Sequence, residues 1–121
     1  MRTLSVSSLL GAQLDYWVAR AAGLSKPIIT REHRREVECL VETDGTGFES
    51  FSPSRDAMLA DRVISGSGVR LARVPMDSGG FGWAAYTPTG FRVVSHSWRY
   101  AALQAFVAIT FGAFVQDEVT V

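Results

Sequence analysis

The stretch VRLARVPMDSGGFGWAAYTPTGFRVV, residues 69–94, decides the fold class. Val69, Leu71 and Arg73 alternate with Arg70, Ala72 and Val74, the period-2 pattern of a strand. Asp77-Ser78-Gly79-Gly80 is turn chemistry, Phe81 to Thr87 reads as a strand rich in aromatic residues, and Phe91 to Val94 as a third short extended run. No helical pattern separates the three, which rules against alternating βαβ units and favours an antiparallel sheet. The phase puts Phe81, Trp83 and Ala85 on one face and Gly82, Ala84 and Tyr86 on the other, with Trp83 directed to the core.

Working outward, both ends of the chain read as helix. Ser97 is a candidate N-cap for a helix running to about Phe111, with Trp98, Ala102, Ala105, Phe106 and Ile109 as its core stripe and Gly112 as its end. The tail from Phe114 to Val121 either adds a strand or stays loose. Residues 8–22 form the opening helix: Leu14, Trp17, Val18 and Ala21 fall on one stripe, Ser8 is the expected N-cap, and Asp15 and Arg20 lie off the stripe. Between the helices, residues 24–35 read as loop and then as a solvated run of mixed charge. Glu36 to Glu42 alternates as a half-buried strand, and Asp44-Gly45-Thr46-Gly47 signals a hairpin. Ser54 or Asp56 caps a short helix from Ala57 to Val63. The expected architecture is one α+β domain over residues 1–121, a small and mainly antiparallel sheet with an N-terminal and a C-terminal amphipathic helix sharing one of its faces.

Composition narrows the function classes. Twelve Lys plus Arg balance twelve Asp plus Glu, so no global field draws the chain to nucleic acid or anionic lipid. Near-zero charge also leaves little repulsion between copies, which is compatible with a homo-oligomer. Cys39 is the only cysteine, so no intramolecular disulfide forms; it shares a face with Val37 and Val41 and reads as an inert buried thiol. The most apolar run, Ala105 to Val115, is short of the roughly 20 residues that a membrane span needs. The expected setting is cytoplasmic, without membrane partners.

Candidate chemistry is sparse. His33 and His96 have no metal-ligand spacing to each other or to Cys39, so neither a metal nor a cofactor is expected. None of the Gly-rich points follows a phosphate-loop pattern. Aromatic residues beside Arg70, Arg73 and Arg92 fill the core, form a base-stacking platform or make a partner surface. The most site-like segment is Ser52-Pro53-Ser54-Arg55-Asp56, where a turn's amides and Arg55 suit an anion, or where Asp56 only caps a helix.

Three blocks in order resemble the phage NinX-like family, small phage and prophage proteins of unknown function. They are Leu9 to Ala21 with its Gly-Ala-x-Leu-Asp core, Phe51-Ser52-Pro53-Ser54-Arg55-Asp56, and Trp83-x-Ala85 followed by Ala101 to Val107 and Phe111-Gly112. The family's Trp after the central Asp is Ala57 here. The resemblance implies a phage or prophage origin and no particular activity.

The first expectation is therefore a non-enzymatic accessory protein that binds a host factor or a nucleotide-derived small molecule, with counter-defence sequestration as one version. Its ligand-binding residues would be Asp15, Ser52, Ser54, Arg55, Asp56 and Trp83. A nucleic-acid-binding module using Arg70, Arg73, Arg92 and Arg99 is the second reading; net charge speaks against it. A small hydrolase built on His96 or His33 is the third.

Overall fold

A computed structural model describes residues 2–117. The elements run β1 (Thr3–Ser5), a 3-10 turn (Val6–Ser8), α1 (Gly11–Ala21), β2 (Ile28–Glu32), β3 (Arg35–Thr43), β4 (Gly47–Ser50), α2 (Ala57–Ile64), β5 (Arg70–Pro75), β6 (Phe81–Tyr86), β7 (Arg92–Ser95), α3 (Trp98–Phe111) and β8 (Phe114–Gln116). The class is α+β, as the order of elements implies. The strands make three small antiparallel sheets rather than one: β2-β3-β4, β5-β6-β7, and β1 paired with β8. The start of the tail thus adds a strand, with Leu4 opposite Val115; residues 118–121 lie outside the described part.

Each helix has its own sheet, which corrects the expectation that both share one face. One side of α1 packs on β2 and β3, and another meets α3; α3 in turn packs on β6 and β7. The helices therefore sit inside and the two three-stranded sheets outside. This explains the pattern of α3. Leu103 and Val107 enter a large cluster with Leu14, Trp17, Val18, Cys39, Val41 and Phe51. Ala101 and Ala105 enter a second with Ala85 and Val93, flanked by Trp83 and Phe91. A helix between two layers is apolar all round rather than striped. Ala101 to Ala105 are buried without a break, while Ile109, read as core, is 41% exposed.

Local chemistry sets the boundaries. Ser97 accepts the Tyr100 amide and starts α3; Gly112, at φ +81°, ends it. Asp56 accepts the amides of Met58 and Leu59 and caps α2. Ser8 does not cap α1: the helix starts at Gly11, and Ser8 belongs to the preceding 3-10 turn, where its hydroxyl donates to Ser5 O. The charged run before β3 is not loop but the distal part of a hairpin, β2 paired with β3 through a turn at His33 and Arg34, both at positive φ. Alternation hides β2 because both of its faces are partly exposed there.

Cys39 is fully buried. Burial pushes its thiol up to about 12, and the nearby Asp15 and Glu38 charges push the same way. The folded chain is expected to alkylate with iodoacetamide more than about a hundredfold slower than the chain in denaturing guanidinium. Equal rates would mean the thiol is accessible. No helix among the described residues is long and apolar enough to cross a membrane.

Candidate functional site

The Ser-Pro-Ser-Arg-Asp turn meets α1 through a buried carboxylate. Asp15 is 1% exposed; its Oδ1 accepts the Ser54 amide at 2.8 Å and its Oδ2 accepts the Ser54 hydroxyl at 2.8 Å. The Ser54 carbonyl accepts Arg99 Nε at 3.3 Å, which ties α3 to the same point. The amides of Arg55 and Asp56 both donate to Ser52 O, and those of Met58 and Leu59 to Asp56. The amides of Ser54, Arg55, Asp56, Met58 and Leu59 are thus engaged within the chain. The anion the turn binds is the protein's own Asp15. Arg55 is exposed and donates to Ser52 Oγ at 3.3 Å. Of the six residues expected to bind ligand, Asp15, Ser52, Ser54, Arg55 and Asp56 come together as a clasp between α1, α3 and the start of α2. Trp83 lies apart, in the cluster between β6 and α3.

A concave surface exists elsewhere, on the face of β5-β6-β7 turned away from α3. Cross-strand register aligns Arg70 with Tyr86 and Tyr86 with Arg92, giving an Arg-Tyr-Arg row across the three strands. Arg92 Nε donates to Tyr86 Oη at 3.3 Å, and the guanidinium lies 6.0 Å from the ring centroid. That contact fixes the stem and leaves the two terminal nitrogens for a bidentate acceptor. The turn between β5 and β6 folds over the same face. Gly82 makes room for it: a Cβ at this position would fall 2.5 Å from Met76 Sδ and 2.8 Å from Ser95 O. Between the turn and β7 lies a groove of about 490 Å³ lined by Pro75, Met76, Asp77, Ser78, Arg92 and Val94. Its size falls within the usual range for small-molecule sites.

Charge in the groove is unpaired. Arg92 and Asp77 line it together without coming within ion-pair distance of each other, and among the described residues neither forms a salt bridge. Ser78 Oγ lies 3.4 Å from His96 Nε2 at the groove's end. Both side chains are exposed, and no carboxylate among the described residues orients the imidazole, so the pair lacks the third member of a nucleophilic triad. His33 is at the tip of the β2–β3 hairpin, in a different sheet. No group of three or more His, Cys, Asp or Glu among the described residues could hold a metal ion.

The arginines read together as a basic cluster separate in space. Arg70 and Arg92 share the outer face; Arg73 belongs to the other, with its guanidinium 5.3 Å from the Phe81 ring, and Arg99 is engaged with Ser54. The sequence signal for the groove is the phase of β6, which puts Tyr86 opposite Trp83. What period alone lacks is the register that brings Arg70 and Arg92 beside Tyr86, and the folding of Met76–Ser78 over Gly82. In comparison with known proteins, no family model and no curated protein matches the chain.

Proposed function

We propose that the chain is a non-enzymatic binding protein that takes a nucleotide-derived, anionic small molecule in the groove of the β5-β6-β7 sheet. The observation that carries this reading is the Arg92 guanidinium, set by Tyr86, unpaired and facing a groove of about 490 Å³. A phosphate would take the two free terminal nitrogens, with Arg70 across Tyr86 adding charge. The apolar walls, Pro75, Met76 and Val94, suit the flat face of a base. The NinX-like blocks of the sequence support a phage accessory role in the cytoplasm of an infected host, where sequestering a nucleotide signal is one concrete task. The nucleic-acid reading finds less support, because Arg70 and Arg73 lie on opposite faces and do not form one backbone track.

A thermal-shift screen against cyclic nucleotides and ADP-ribose derivatives tests it. A ligand at a hundred times its Kd adds about 2.7 kcal/mol, a rise on the order of 10 °C for a domain of this size. Arg92→Ala is expected to abolish the rise and, because Arg92 is exposed, to leave the ligand-free midpoint within about 2 °C of the wild type. No shift with any of these ligands at saturating concentration would remove the proposal.

A further inference from the structure

The groove carries a second charged group, and its chemistry narrows the ligand. Asp77 stands on the turn that forms one wall, exposed, with no hydrogen-bond or ion-pair partner among the described residues. Arg92 stands across from it on β7. Two opposite charges that line one groove without meeting are complementary to a ligand with an anionic end and a hydrogen-bond-donor end. We infer that the groove selects a guanine nucleotide: the phosphate on Arg92, the base between Met76 and Val94, and the Asp77 carboxylate on the guanine N1–H and N2–H₂ edge. This rests on the groove being the binding site.

The selection follows from donor and acceptor patterns. A carboxylate has only acceptor oxygens. Guanine offers two adjacent donors on its pairing edge, N1–H and the N2 amino group, which match the two oxygens in a bidentate, charge-assisted pair. Adenine offers one donor, N6–H₂, beside the N1 lone pair, which would face a carboxylate oxygen. Cytosine has the same donor–acceptor mismatch. Uracil has one donor between two carbonyls. An asparagine in place of Asp77 relaxes the rule: its amide pairs with adenine by donating to N1 and accepting from N6–H₂, and with guanine by donating to O6 and accepting from N1–H. The Asp77→Asn change is small and exposed, and the turn it occupies is held by the backbone bonds Met76 N to Gly80 O and Gly79 N to Met76 O, which do not involve the side chain.

Isothermal titration of the full chain with GMP and with AMP tests this. A bidentate pair discriminates by about 1–3 kcal/mol, so the wild type should bind GMP roughly 5- to 150-fold tighter than AMP. Asp77→Asn should level the order by gaining AMP affinity, and Asp77→Ala should level it by losing GMP affinity. Circular dichroism of each variant checks that the fold is kept. Equal binding of GMP and AMP by the wild type, or an unchanged ratio in Asp77→Asn, overturns the guanine inference while the groove reading stands, provided Arg92→Ala weakens both ligands. Binding of neither nucleotide overturns the guanine inference. If the wider nucleotide screen is also silent, the groove reading goes with it. Preferential binding of a zwitterionic dipeptide, whose ammonium would take Asp77, likewise overturns it.

Discussion

Replacing Asp15 with asparagine is expected to flatten the pH dependence of stability and to stabilise the chain at neutral pH. Burial pushes the Asp15 carboxyl up from 3.8 to about 6, against the opposing effects of the Ser54 hydrogen bonds and the Arg55 charge. The folded chain therefore binds this proton more tightly than the unfolded chain does. A group of this kind stabilises fully below about pH 4, and the contribution is lost as pH rises through 6. The shift of about two units corresponds to a stability difference on the order of 3 kcal/mol between pH 4 and pH 8. Asparagine keeps the geometry: its carbonyl accepts the Ser54 amide, and its amide donates to the Ser54 hydroxyl in place of Oδ2. Urea titrations of wild type and Asp15→Asn across this range should give curves that approach each other at low pH and diverge above 6, with the variant the more stable. Parallel curves would mean that Asp15 titrates normally. Asp15→Ala should behave differently, because it leaves the buried Ser54 amide and hydroxyl without acceptors and so destabilises at every pH.

The largest loss of stability is expected at Trp17. Its side chain, 2% exposed, sits edge-on to Tyr16 at 5.4 Å and to Phe111 at 5.2 Å, with the Arg20 guanidinium 4.9 Å from its centroid. It joins α1 to the end of α3 in the main cluster. Trp17→Ala should cost about 3–5 kcal/mol, the transfer energy plus the cavity left behind. That is a large share of the stability of a small domain and places the variant near unfolding. Trp17→Phe keeps one ring of the packing and should cost less, about 1–3 kcal/mol. The indole nitrogen is buried with no hydrogen-bond partner among the described residues, so the smaller ring loses contacts but also removes an unsatisfied donor. Chemical denaturation with a constant m-value separates the two variants. Equal losses would show that the indole nitrogen is satisfied and that its packing cannot be replaced by phenylalanine.

The clasp and the groove differ in how far they could be read in advance. The clasp's parts were legible: the Ser-Pro-Ser-Arg-Asp turn stands out by composition, and Asp56 caps α2 as its position implies. That Asp15 closes it was not. By period Asp15 falls off the apolar stripe of α1, and the sequence groups it with the turn only as a ligand-binding residue, yet it is as buried as Leu14 to within 1%. A partner 39 residues away makes that burial tolerable, and such a partner leaves no trace in the local pattern. The groove was legible only as a phase. Tyr86 falls opposite Trp83 in the alternation of β6, but Asp77 and Ser78 read as turn chemistry and nothing more.

By itself the sequence determined the local elements with local causes. Ser97 and Gly112 bound α3, Asp56 opens α2, Asp44–Gly47 turns a hairpin, and residues 69–94 form three antiparallel strands, because caps, turns and alternation act over a few residues. The tertiary structure alone decided that the sheet divides into three and that α3 is buried between layers rather than laid on one face. It also decided that an exposed turn folds over Gly82 to make a groove with an arginine and an aspartate on its walls. These features depend on which distant surfaces meet. Burial and register supply that information, and neither has a period that a single chain segment can display.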